Sequence, residues 1–412
     1  MSGFFRSRWV EPPAHADEIE ATALPRGFSA AGVAAGIKPE GLDVGVLASE
    51  SPETVSAARF TTNARVGAPV IVSREAELER LRAVVVNSGC SNVGDGRRGL
   101  ETAAAMQAAA AEELGVEPRR VGVASTGLIG VELPREKVVA GVRAACDELG
   151  PDATGFSEAI LTSDSGPKRA CLELHLRGGA VRLAAQAKGA GMISPRFATL
   201  LCFVETDAGM APETIDLLTG VCVKRSFDRI SVDGQLSTSD TVFALASGAS
   251  GVRVEPESED ELRLGEGLDA LLRQLALDIV ADGEGAKRVG RVVVRGRPEA
   301  VEPVARAIAN SPLVKAALHG GDPNFGRILQ AAGQAWPQGE PFIADLEIEG
   351  RQLVSAGDAI GLGDGDLRQL EELVSGDEVE YELTLPGDGG ETEVFFSDLS
   401  AAYVEFNAAY TT

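Results

Sequence analysis

Short apolar blocks separated by glycine-rich turns dominate the first part of the chain, and their period decides what each block becomes. In LPRGFSAAGVAAGIKPEGLDVGVLASE (24–50) the apolar runs are brief and turn-bounded, which predicts strands, and PVIVSRE and LRAVVVNSG continue that reading. The alanine-rich GLETAAAMQAAAAEELG (99–115), closed by glycine at both ends, predicts a helix. VGVASTGLIG (121–130) reads as a buried strand running into a turn, and REKVVAGVRAACDELG (135–150) returns to helical spacing. Residues 172–192 predict strand, turn, strand, with RGG at 177–179 as the hairpin loop. Helical patterns recur in APETIDLLTGVCVKRSFDRI and ELRLGEGLDALLRQLALDIVADGEGAK. From about residue 290 the texture changes: RVVVRG, a helix at 299–310, FIADLEIEG, RQLVSAG, a short helix near 367–374 and DEVEYELTLP predict a smaller α+β unit. The whole is a mixed α/β chain, without internal repeat or heptad array.

Composition narrows what such a chain does. Its 412 residues are 44% hydrophobic and 24% charged, a globular balance with length for two or three domain-sized units. The formal net charge of −24 would repel a phosphate backbone, so nucleic acid is not an expected partner. Five cysteines without a C-x-x-C pair suit a reducing compartment, and three scattered histidines give no zinc spacing. Lacking a signal-like N-terminus or an apolar run of membrane-spanning length, the chain is expected to be soluble and cytoplasmic, away from the membrane.

The candidate chemistry centres on KGAGMISPRFATLLCFVETDAG (188–209), where Thr199 stands at the head of an apolar run. Two readings stay open. A β-branched threonine suits a core strand, and it is also a nucleophile if the Ala198–Thr199 bond is cut, because the freed α-amino group then serves as its base. Of the strand-to-turn glycines in STGLIG, KGAGM and DGEGA, none fits the P-loop spacing and KGAGM lacks the full G-x-G-x-x-G, while the G-x-S-x-G elbow is absent. Cys90 has no local histidine partner and reads as a buried thiol.

KGAGMISPRFATLLCFVETDA resembles the processing site of the ornithine acetyltransferase (glutamate N-acetyltransferase) family. Matching motifs run through the chain in order: GFSAAGVAAGIKPEGLDVGVLASE, FTTNARVGAPV, ASTGLIG, ILTSDSGPK, SFDRISVDGQLSTSDT, DGEGAK, NSPLVKAALHGGDPNFGRIL and the terminal FNAAYTT. The resemblance implies an αββα layered sandwich of the autoprocessed N-terminal-nucleophile type with a smaller C-terminal α+β domain. It divides the chain into a catalytic core at about 20–289, the smaller domain at 290–390 and a tail at 391–412 that returns to the active site. Cleavage would leave an α fragment, 1–198, and a β fragment, 199–412, associating as a heterotetramer of two each.

The same resemblance implies an acetyl transfer from N-acetylornithine to glutamate through an acetyl ester on Thr199, with no metal or prosthetic group and with acetyl-CoA open as a second donor. Thr126 and Gly127 would form the oxyanion pair. Thr162, Lys188, Thr199, Glu284, Asn407 and Thr412 would contact substrate, the Lys188 ammonium suiting a carboxylate and the Glu284 carboxylate suiting ornithine's amino groups. Arg196 and Phe197, with NSGCSN and DPNFGR, depart from the usual family pattern and bear on processing rate and substrate fit. Two rivals are an autoprocessed aminopeptidase or amidase that passes its acyl group to water, and a non-catalytic binding protein in which Thr199 only fills a strand.

Overall fold

The computed structural model describes residues 3–194 and 200–409. Ala198, Thr199, Thr412 and the departures at Arg196 and Phe197 lie outside the described residues.

Two sheets stack face to face. One has four strands in the order Phe28–Val33, Val44–Ser49, Ala83–Asn87, Val121–Ser125. The other runs Ala16–Glu18, Lys168–Leu176, Gly179–Lys188, Leu201–Thr206, Thr241–Ala246, Val55–Phe60. Strands such as Ala83–Asn87 and Leu201–Thr206 are buried on both faces, so they open with consecutive apolar residues, AVVV and LCFV, rather than alternating ones. Phe28, Leu47, Val84 and Val86 from the first sheet meet Leu201, Phe203, Phe243 and Leu245 from the second to form the core between them. Outside the first sheet lie the Gly96–Leu114 and Arg135–Asp147 helices, and outside the second lie Pro212–Arg225 and Glu259–Ala281. The order of layers is helix, sheet, sheet, helix.

Local chemistry explains the element ends. The alanine-rich helix stops at Gly115, whose φ of 64° is the left-handed conformation that glycine adopts most cheaply. Ser258 caps the Glu259–Ala281 helix by accepting from the Glu261 N–H, while Glu261 reaches back to the Glu257 N–H. PVIVSRE, expected as a strand, instead belongs to a helix, Ala68–Arg74. A short apolar run does not fix a period, and Pro69 in the first turn favours helix. The Ser73 hydroxyl then ties the helix to the strand edge, donating to the Val123 carbonyl at 2.8 Å and accepting from the Val123 N–H at 2.7 Å.

A seven-stranded sheet follows, in the order Ile230–Ser231, Gly390–Ser397, Val289–Gly296, Glu378–Thr384, Asp345–Ile348, Arg351–Ser355, Asp358–Ala359. Helices Pro298–Ala309, Pro312–Gly320, Phe325–Ala335 and Asp364–Val374 share its core. The last described element is the Ala401–Ala409 helix, which runs back to the mouth of the two-sheet body.

Candidate active site

A cavity of about 180 Å³ opens where the ends of several elements converge, and Thr126, Gly127, Thr162, Lys188, Glu284 and Asn407 all line it. Those residues are separated by up to 281 positions in the sequence, and the fold gathers them from both sheets and the terminal helix.

The Val121–Ser125 strand delivers one wall. Beyond it, the Thr126 N–H is held by the Asn87 carbonyl at 3.0 Å and Leu128 N–H by Gly89 at 3.3 Å, so the turn is pinned on both sides. Gly127 has a φ of 123°, and a Cβ there would lie 2.4 Å from the Gly89 carbonyl carbon, so only glycine permits this approach. The neighbouring Cys90 thiol donates to the Val131 carbonyl at 3.3 Å, and burial pushes its pKa up. It is an inert packed thiol, as its sequence context suggested.

Lys188 ends the Gly179–Lys188 strand and is 3% exposed. Its Nζ donates to Thr162 Oγ1 at 2.6 Å and to Thr126 Oγ1 at 3.2 Å, and lies 3.8 Å from Asp164 Oδ2. Burial pulls the Lys188 pKa down, and Asp164 opposes that shift. Asp164, wholly buried, also accepts from Lys168 Nζ at 2.7 Å, from the Gly189 N–H at 2.7 Å and from the Thr162 N–H at 3.1 Å. These contacts and the two lysine charges outweigh desolvation and hold its carboxyl far below the usual range. Lys168 in turn pairs with Asp282 at 2.6 Å, which fastens the 162–165 loop to the end of the Glu259–Ala281 helix.

Glu284 follows that helix end and forms the opposite wall. Its Oε1 accepts from the Ser163 hydroxyl at 2.7 Å and its Oε2 from Asn407 Nδ2 at 2.8 Å, while its N–H is fixed by the Ala190 carbonyl at 3.0 Å. The terminal helix can approach because residue 285 is glycine: at φ 72° a Cβ would stand 2.6 Å from the Tyr403 nitrogen. The tail thus reaches the site through Tyr403 and Asn407.

The beginning of the Leu201–Thr206 strand completes the constellation. Leu201 pairs with Lys188, the Leu200 N–H donates to Asp240 Oδ1 at 3.0 Å, and the Leu200 carbonyl accepts from Thr241 at 3.1 Å. Leu200 follows Thr199 in the sequence, and its other neighbour, Leu201, pairs with the cavity-lining Lys188. Burial raises the Asp240 pKa well above the ordinary carboxylate range. Asp164, Ser163, Asp240 and Tyr403 carried no sequence assignment, although the first three lie in ILTSDSGPK and STSDT. Their roles come from partners more than 20 residues away, which local spacing does not reveal.

Among the described residues no group of three or more His, Cys, Asp or Glu side chains is arranged to hold a metal, and no helix is long and apolar enough to cross a membrane.

Comparison with known proteins extends these observations over most of the chain. The ArgJ family model matches residues 29–412. The arginine biosynthesis bifunctional protein ArgJ of Symbiobacterium thermophilum is 40% identical over 396 residues, covering 94% of this chain and 98% of the relative. Its counterpart from Rhodopirellula baltica is 40% identical over 406 residues, 96% and 98% of the two chains. Among solved structures, ornithine acetyltransferase from Mycobacterium tuberculosis complexed with ornithine is 34% identical over 45% of this chain and 99% of its own, with a TM-score of 0.41. The ordered motifs, a family match that takes in every residue lining the cavity and near-complete mutual coverage lead to one conclusion: this chain belongs to the ArgJ family.

Proposed function

We propose that the chain is an ornithine acetyltransferase of arginine biosynthesis, moving an acetyl group from N-acetylornithine to glutamate. The observation that carries the reading is the pairing, across one small cavity, of a cationic Thr126–Thr162–Lys188 wall with an anionic Ser163–Glu284–Asn407 wall beside the residue that follows Thr199. An N-acetylated diamino acid presents a carboxylate, an amide carbonyl and a terminal ammonium, and these two walls offer complementary charge to both ends.

In this mechanism Thr199 becomes N-terminal when the Ala198–Thr199 bond is cut. Its α-amino group takes the hydroxyl proton as Oγ1 attacks the acetyl carbonyl carbon. The Thr126 hydroxyl and the Gly127 N–H donate to the oxygen that becomes negative, and the proton passes to the departing ornithine amine. Glutamate's amine then attacks the acetyl ester, regenerating Thr199 and releasing N-acetylglutamate. Glu284 and Asn407, with Thr412, bind the ornithine end. Acetyl-CoA is a second candidate donor. The two fragments, 1–198 and 199–412, remain together and associate as a heterotetramer in the cytoplasm.

The test uses purified protein, labelled N-acetylornithine and a glutamate titration, with acetyl-CoA compared in parallel. Label recovered in N-acetylglutamate is the expected result. Label recovered as free acetate at every glutamate concentration would assign an amidase instead. Intact mass measurement should find a new N-terminus at Thr199, and Thr199→Ala should stay uncut; a wild-type chain that stays whole and inert would overturn the mechanism.

A further inference from the structure

Lys188 is an unusual candidate for a direct substrate contact, because two of its three N–H donors already point at protein hydroxyls. Nζ donates to Thr162 Oγ1 at 2.6 Å and to Thr126 Oγ1 at 3.2 Å, and the side chain is 3% exposed. A hydroxyl has one proton and two lone pairs. By filling a lone pair of Thr126 Oγ1 with a cationic donor, Lys188 leaves the hydroxyl proton to point elsewhere, and the cavity is lined by Thr126 and Gly127 together. Chained hydrogen bonds reinforce one another in a low-dielectric interior, so the Thr126 hydroxyl becomes a stronger donor when its oxygen accepts from an ammonium.

We propose that Lys188 serves the reaction through Thr126, as a positioning residue that orients and polarises the oxyanion-stabilising hydroxyl, and that Asp164 keeps this lysine charged and in place. The inference rests on the acetyl-transfer reading above. Whatever attraction the ammonium exerts on a substrate carboxylate, its geometry serves the developing oxyanion. Asp164 is suited to its part: it is wholly buried, 3.8 Å from Nζ, and fixed by Lys168 and by the Gly189 and Thr162 N–H groups. The other charges acting on Lys188 are Lys168, Asp240 and Glu284, together with Lys38 beyond them. Lys168 disfavours the ammonium, Asp240 and Glu284 favour it, and burial opposes it most strongly. Removing the Asp164 charge therefore lowers the pH at which Lys188 loses its proton.

The deciding probe is p-nitrophenyl acetate, an acetyl donor without a carboxylate. Single-turnover release of p-nitrophenolate reports acetylation of Thr199, and intact mass confirms the adduct. If Lys188 acts through Thr126, Lys188→Met should slow this acetylation at least about tenfold, and adding it to Thr126→Ala should cost little more than Thr126→Ala alone. A carboxylate-binding lysine would leave the probe's rate unchanged while raising KM for N-acetylornithine and glutamate, and that result would overturn the proposal. Full additivity of the two substitutions would overturn it as well. Should Lys188→Met fail to fold or to cut itself, Asp164→Asn takes its place: the alkaline limb of kcat should move down by about one pH unit or more. An alkaline limb that moves in KM alone, or not at all, would refute the role. Wild-type protein that forms no acetyl adduct from the probe or from N-acetylornithine would instead remove the acetyl-transfer reading on which the proposal stands.

Discussion

Single side chains at this site acquire their meaning from what they face. Glu284 is one carboxylate among many in an acidic chain, but its two oxygens are held by Ser163 and Asn407, and the residue lines the cavity. If it binds the ornithine ammonium, Glu284→Gln keeps the shape and removes the charge. Single-turnover acetylation of Thr199 by N-acetylornithine should then slow roughly tenfold or more, because a charge-assisted contact becomes a neutral one. Capture of the acetyl group by glutamate should lose much less. Equal losses in the two half-reactions would make Glu284 a general positioning group and not one selective for ornithine.

At the scale of elements, the site is assembled at strand ends, and the strand-to-turn transition at 125–128 is the least replaceable of them. Gly127→Ala places a methyl group 2.4 Å from the Gly89 carbonyl carbon at a φ of 123°, so the backbone of Thr126 and Gly127, the pair proposed to stabilise the oxyanion, must move. The expected loss is about 10²-fold in kcat, the scale set by removing one such donor. Gly333→Ala is the contrast. It lies within the Phe325–Ala335 helix with nothing within 4 Å of the added Cβ. Activity should be unchanged, and a thermal melt should show stabilisation worth up to about 1 kcal/mol from helix propensity.

Over the whole molecule, the sheet-on-sheet stacking buries one carboxyl that has no role at the cavity. Glu205 accepts from Gln186 Nε2 at 3.1 Å, its Oε1 has no partner, and burial raises its pKa well above the ordinary value. A carboxyl whose pKa is higher in the folded chain binds its proton more tightly there than when unfolded. Its contribution is therefore fully present below the unfolded pKa near 4.3 and is lost as pH rises from there toward the raised folded value. Glu205→Gln supplies a neutral group at every pH. Chemical denaturation at pH 5 and at pH 7 should show the variant gaining on wild type as pH rises. A difference independent of pH would show that Glu205 folds as a charged group.

The sequence by itself determined much of this protein. Period and punctuation specified the Gly96–Leu114 and Arg135–Asp147 helices, the Lys168–Leu176 and Gly179–Lys188 hairpin and the change of texture before the seven-stranded sheet. These elements were legible because their signals are local: alanine content, a closing glycine, a tight loop. The ordered motifs named the family, and six of the site positions they implied line one cavity. What only the tertiary structure decided is relational. Ala68–Arg74 is a helix because Pro69 and the Ser73–Val123 bonds outweigh an ambiguous apolar run. The layering of the two sheets followed from the family resemblance and not from the pattern of any strand, since a strand buried on both faces does not say which neighbour covers it. In sequence Lys188 is a lysine after a strand, which suits a carboxylate partner but shows nothing of its neighbours. Its hydroxyl partners lie 26 and 62 residues away, and hydrogen bonds over that separation exist only once the chain has closed around them.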